Sequence, residues 1–170
     1  MSFVTSDHEE FRNAVRRFTE EEIVPIASEL DAKNAEIPME IIAKMAEQGY
    51  FGVLFPEEYD GLGLDNITMT IVAEELSKGW LSVGSVMTRG VIMGTLLQAH
   101  GTEEQKKKYL PGLATGTILP AAAFTEPDSG SDSASMIMKA TKTEGGYLLN
   151  GAKAWCTYAN RANVLMVLAR

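Results

Sequence analysis

The apolar residues of this chain change their spacing once, near Gly116, and that change constrains the fold more than any other feature. Up to residue 118 they recur at helical intervals. Phe11, Val15 and Phe18 form one stripe, which Ile23, Ile26 and Leu30 resume. Pro25 should kink or interrupt this element, because its ring removes a donor and crowds the carbonyl of Glu21. Pro38 suits a first helical position ahead of buried Ile41, Ile42 and Met45, with Gly49 as the stop. Phe55 to Gly63 reads as a loop from its turn residues. Asn66 is the expected cap of a helix carrying Ile67, Ile71, Val72 and Leu76. Residues 80–100 form an apolar helical stretch that holds Gly84, Gly90 and Gly94. Each glycine costs about 1 kcal/mol inside a helix, so the stretch implies close packing, a break, or room for a ligand. Thr102 with Gln105 reads as a capping box for a helix that starts at Glu103 and ends near Leu110, before Pro111.

Beyond Gly116 the apolar runs are short: 119–124, 136–143, 147–150, 153–157 and 163–169, with Gly and Asp between them. Glu144-Gly-Gly-Tyr147 reads as a hairpin turn. The predicted fold class is therefore α+β: an all-α domain over 1–118, then an antiparallel β domain over 119–170. That β domain reads as incomplete. Five short strands seldom close a barrel, and the last one leaves an edge open to pairing. The expectation is that more polypeptide follows in the natural protein or that a partner covers the edge.

Composition narrows the classes. With 170 residues, 45% apolar and 22% charged, the chain has the balance of a soluble globular protein. Its single cysteine, Cys156, allows no internal disulfide and suits a reducing compartment. The first ten residues are polar and acidic, unlike a targeting peptide, and no apolar run nears the roughly 20 residues that cross a bilayer. The expected location is the cytoplasm, with no membrane partner. Residues 1–118 carry 10 basic and 19 acidic side chains, a net of −9, whereas 119–170 carry a net of +1. The acidic part argues against nucleic acid, and the near-neutral part tolerates a polyanionic ligand better. His8 and His100 lack metal-ligand spacing and an evident partner, so no metal site is expected.

Two segments carry chemistry. Ala122 to Asp132 leaves a strand, turns sharply between Pro127 and Gly130, and presents successive amides beside the hydroxyls of Thr125 and Ser131. Such a turn suits a phosphate, or it is a plain polar connection. Asn150 to Thr157 reads as a strand ending in Trp155, Cys156 and Thr157. It offers a flat ring beside a hydroxyl, as a flavin requires; alternatively Trp155 is core and Thr157 faces solvent. Glu57, Glu58, Glu74 and Glu75 read as solvated carboxylates on helix surfaces or loops, and Glu126 as part of the turn.

Taken together, Thr-Glu-Pro-x-x-Gly-Ser-Asp at 125–132 and Asn-Gly-x-Lys-x-Trp-x-Thr at 150–157 resemble the flavin-binding pair of the acyl-CoA dehydrogenase family. The segments Gly101 to Leu110 and Phe55 to Gly63 are similar to the family's signatures in its helical domain. The resemblance implies FAD as cofactor, with Ala122, Phe124, Thr125, Gly130 and Ser131 in the loop that holds it. It implies that Ser131 also meets the acyl-CoA pantetheine. Trp155, Cys156 and Thr157 would line the flavin, with the threonine hydroxyl near its N5. The implied reaction is α,β-dehydrogenation of an acyl-CoA, with a glutamate taking the α-proton and electrons passing to an electron-transferring flavoprotein. The family's base lies in a later helical domain, so this chain is expected to supply no catalytic residue and to be inactive alone. A homotetramer is the expected full-length assembly.

Departures from the pattern point to a branch. Asp128-Ser129 stands where Gly-Ala is commoner, which is similar to glutaryl-CoA dehydrogenases, and Val83 to Gly90 resembles methylsuccinyl-CoA dehydrogenases. Arg89 would then pair with a distal substrate carboxylate, or it is an ordinary helix-surface arginine. Cys156 replaces an aliphatic residue and is either redox-active or, more simply, buried and inert. Two other readings keep the fold: a non-catalytic scaffold or interaction module, and an acyl-CoA oxidase.

Overall fold

A computed structural model describes residues 3–170, which separate into two compact units, one ending at Ile118 and one spanning Leu119–Arg170. The first unit is helical. α1 (Ser6–Phe18) continues through a π-helical turn, Thr19–Ile23, into α2 (Val24–Ala32). α3 (Met39–Glu47), α4 (Asn66–Gly79), α5 (Leu81–His100) and α6 (Glu103–Ala114) follow. The break falls where Pro25 requires it: the π turn ends just before, and the proline occupies the first turn of α2, where a missing N–H costs nothing.

Caps fix the helix starts. Thr102 and Gln105 close a capping box on α6, as the sequence predicts. On α4 the cap is Asp65, one residue before the expected Asn66; its carboxylate accepts the Thr68 amide at 2.8 Å. On α1, Thr5 accepts the His8 amide while the His8 ring takes the glutamate's usual place in the box. The same ring reaches Asp65 with its Nε2 at 3.1 Å, so His8 has partners and ties the starts of α1 and α4 together.

Two further expectations need correction. α6 runs through Pro111 to Ala114 instead of stopping near Leu110. Leu110, Leu113 and Ala114 are all buried, and about 1.5–3 kcal/mol per buried large side chain offsets the roughly 3 kcal/mol cost of the proline. Glu75 is not solvated: it is 1% exposed on α4 and accepts hydrogen bonds from Arg12 and Arg16 of α1 and from Lys78, each at 3.0 Å. α5 is continuous despite its glycines, and two of them, Gly84 and Gly94, serve close packing, whereas a Cβ at Gly90 would meet only the Leu113 carbonyl, at 3.9 Å. A Cβ at Gly84 would collide with Ser77, and one at Gly94 with the ring of buried Phe55.

The second unit holds β1 (Pro120–Ala123), β2 (Lys139–Thr143), β3 (Gly146–Asn150) and β4 (Val164–Val167). β2 and β3 form the expected antiparallel hairpin, turning at Gly145, whose φ is 82°. β1 departs from the antiparallel expectation by pairing in parallel with β4, Pro120 opposite Val164 and Ala123 opposite Val167. The long connection between them permits this, because a parallel pair needs a crossover that a tight turn cannot supply. The last residues join the two pairs: the Leu168 amide donates to Ala123, while Arg170 bonds to Met138 and Ala140 through its backbone. Among the described residues no helix is long and apolar enough to cross a membrane.

Candidate functional site

The two motif segments of the second unit meet. β1 delivers the chain to Phe124 and Thr125, and the next four residues fold into a tight turn closed by Glu126 and Ser129 through paired backbone hydrogen bonds of 2.7 and 3.3 Å. The second segment returns along this loop. The Ala154 amide donates to the Thr125 carbonyl at 2.9 Å, Lys153 Nζ donates to the Phe124 carbonyl at 2.9 Å, and the Cys156 thiol faces the Ala122 carbonyl at 3.5 Å.

The segment 153–157 is not the strand the sequence suggests. It forms no strand ladder: Lys153 and Ala154 bond to the loop and only the Cys156 thiol reaches β1, and Trp155 adopts φ 56°, a left-handed conformation that cannot continue a pleat. Tyr158 repeats it at φ 70°. Trp155 is therefore not core: the residue is 88% exposed. Thr157 is exposed as well, and Cys156 is half-buried, not fully buried. Ala122, Phe124 and Thr125 are half-buried beside them. Gly130 and Ser131 lie exposed at the far side of the turn, and a Cβ built on Gly130 would meet nothing within 4 Å.

Beneath the loop sits a carboxylate that the sequence reading treats only as a turn residue. Glu126 is 4% exposed and accepts the Ile137 amide at 2.7 Å, the Met138 amide at 3.0 Å and Lys153 Nζ at 2.8 Å. The Ile137 amide and then the lysine hold its carboxyl down at about 2. The motif contains both residues, but their pairing requires the two segments to be folded together.

An extended cofactor with a planar ring and phosphates fits these residues. A flat exposed indole, exposed or half-exposed hydroxyls at Thr125, Ser131 and Thr157, and open space at Gly130 occur on adjoining segments, and the buried carboxylate of the loop, Glu126, is paired with Lys153.

Comparison with known proteins decides the family. Residues 5–117 match the description "Acyl-CoA dehydrogenase, N-terminal domain", and 121–170 match "Acyl-CoA dehydrogenase, middle domain". The chain belongs to the acyl-CoA dehydrogenase family. Among the relatives of this chain is (2S)-methylsuccinyl-CoA dehydrogenase of Cereibacter sphaeroides, 44% identical over 162 residues, covering 95% of the chain and 30% of the relative. The structure of the glutaryl-coenzyme A dehydrogenase glutaryl-CoA complex matches with a TM-score of 0.92 at 34% identity, covering 99% of the chain and 44% of the other. Butyryl-CoA dehydrogenase from Megasphaera elsdenii matches with 0.90 at 32%, covering 99% and 45%. The chain thus spans less than half the length of these relatives.

Arg89, on α5 of the helical unit, is half-buried. Its Nη2 donates to Ser85 Oγ at 2.8 Å, and its buried Nε has no hydrogen-bond partner among the described residues.

Proposed function

We propose that this chain is part of an enzyme that dehydrogenates the α,β bond of a short branched or dicarboxylyl-CoA thioester. The observation that carries the reading is the joining of residues 122–131 to 150–157 through Lys153, Ala154 and Cys156. FAD would supply the acceptor for the hydride lost from the substrate, and an electron-transferring flavoprotein would take the electrons onward.

The chain's own residues bind and orient. Trp155 supplies an apolar wall, and the Thr125 and Thr157 hydroxyls supply hydrogen bonds to the ring edge, with Ala122, Phe124 and Cys156 lining it. Gly130 leaves room for the pyrophosphate, and Ser131 serves it and the pantetheine. In the helical unit, the unpaired Nε of Arg89 gives a guanidinium edge for a distal carboxylate. No carboxylate here is assigned as the base. Glu75 accepts four hydrogen bonds and Glu126 three, and both are held ionised, which makes them poor proton acceptors. The base is proposed to come from polypeptide outside residues 1–170, and the working assembly to be a homotetramer.

The deciding experiment is the visible spectrum of the protein as its host makes it, followed by titration with an acyl-CoA. A flavin band bleached by substrate is expected. Thr157→Ala should slow that bleaching roughly tenfold or more through loss of one hydrogen bond to the ring. A colourless protein overturns the reading, and an unchanged rate removes Thr157 from it.

A further inference from the structure

We propose that Lys153 and Glu126 are positioning residues: their buried pair sets the turn that presents Trp155 and Thr157. The inference rests on the flavin reading only for what the presented side chains then bind. The starting observation is that Trp155 holds a left-handed backbone while the residue is 88% exposed. A residue in that region is uncommon and persists only where its surroundings impose it. Packing of its own ring cannot be the restraint, so the restraint must come through the backbone on either side.

On the amino side that restraint is Lys153. Its ammonium is 8% exposed and lies 2.8 Å from a carboxylate that is 3% exposed. Burying two charges is a poor way to gain stability alone, since an apolar pair of similar volume does as well. What the charges add is direction. Glu126 accepts both successive amides that lead into β2, Ile137 and Met138, and Lys153 donates onward to the Phe124 carbonyl. One ion pair therefore fixes three separate stretches: 124–126, 137–138 and 153. Gly151 adds a steric stop, since a Cβ there would lie 2.9 Å from the Met138 backbone. With Lys153 fixed, the Ala154 amide is aimed at Thr125, and the chain must turn at Trp155 to bring Cys156 back to Ala122.

A general stabiliser and a positioning pair differ in how far their loss spreads. The test is amide hydrogen exchange on the whole chain carrying Lys153→Met, Lys153→Arg or Glu126→Gln. It is combined with Trp155 fluorescence anisotropy in a Trp80→Phe background. Lys153→Met is expected to speed exchange at Ala154 about tenfold and lower the Trp155 anisotropy. The Leu168 amide and the β2–β3 hairpin should exchange as before. Lys153→Arg, which keeps the charge and a donor, should recover most of the protection. Faster exchange spread evenly over the second unit, or unchanged exchange at Ala154, overturns the proposal, as does failure of the arginine to restore it. If Lys153→Met does not fold, Glu126→Gln decides: it keeps the shape and removes the charge, and unchanged Ala154 exchange is again fatal. A protein lacking any flavin band would sink the flavin reading alone, because the exchange pattern judges the pair without a ligand.

Discussion

Arg89 illustrates how one atom can separate two roles for a residue. An arginine on a helix face normally leaves its donors in water, whereas here Nε is buried without an acceptor among the described residues while Nη2 is tied to Ser85. A buried donor left unmade costs about 1–3 kcal/mol, which a bound carboxylate would relieve. In the catalytically complete protein, Arg89→Met should therefore lower kcat/KM roughly tenfold or more for dicarboxylyl-CoA substrates and spare plain acyl-CoAs. Equal loss on both in steady-state assays would make Arg89 a packing residue. The buried carboxylates are the residues that the sequence reading placed wrongly or incompletely. Glu75 stands in a run, Glu74-Glu75, that looks like any solvated helix face, yet only the first is partly exposed, at 46%. The arginines that neutralise Glu75 lie about sixty positions away on α1, beyond the reach of any local pattern.

At the scale of elements, helix spacing and caps are local properties and were largely legible. The exceptions were decided by neighbours. α6 tolerates Pro111 because the residues after it are buried, and residues 153–157 turn because their donors are taken by the loop. α5 is the case where sequence narrowed the choices without choosing. Close packing, a break or a ligand space all remained open; the continuous helix excludes the break, and Gly84 against Ser77 and Gly94 against Phe55 select close packing at those two positions. Phe55 is 1% exposed and cannot swing away from an added methyl group. Gly94→Ala should thus destabilise the helical unit by about 1–3 kcal/mol despite alanine's better helix propensity. Urea unfolding followed by far-ultraviolet circular dichroism would measure it, and a stabilised variant would refute the packing assignment.

Across the whole molecule, each unit carries one buried carboxylate held ionised by its partners. Arg16 leads for Glu75 and the Ile137 amide for Glu126, and each carboxyl is lowered from the ordinary 4.5 to about 2. A lowered folded-state value favours the ionised native form, so its stabilisation is complete above about 4.5 and is lost as pH falls towards 2. The helical unit should lose stability in that acid window, while in the second unit the loss should stay with the turn that Lys153 and Glu126 hold. Trp80 reports the helical unit, since it is 6% exposed and donates to Asp31 at 2.9 Å. Its emission should shift to the red as acid unfolds that unit, and Glu75→Gln should flatten the unit's dependence on pH below 4.5. A Gln variant with the same acid midpoint would remove Glu75 from the effect.

The sequence by itself determined the α+β class, the membership of the acyl-CoA dehydrogenase family and most helix positions. Periodicity, caps and short motifs are written within a few residues of one another. Tertiary structure decided the rest: the parallel pairing of β1 with β4, the burial of Glu75 and Glu126, and the left-handed turn at Trp155. Each of these depends on groups brought together from distant parts of the chain. A charge or a backbone donor has no fixed environment until the fold supplies its partner.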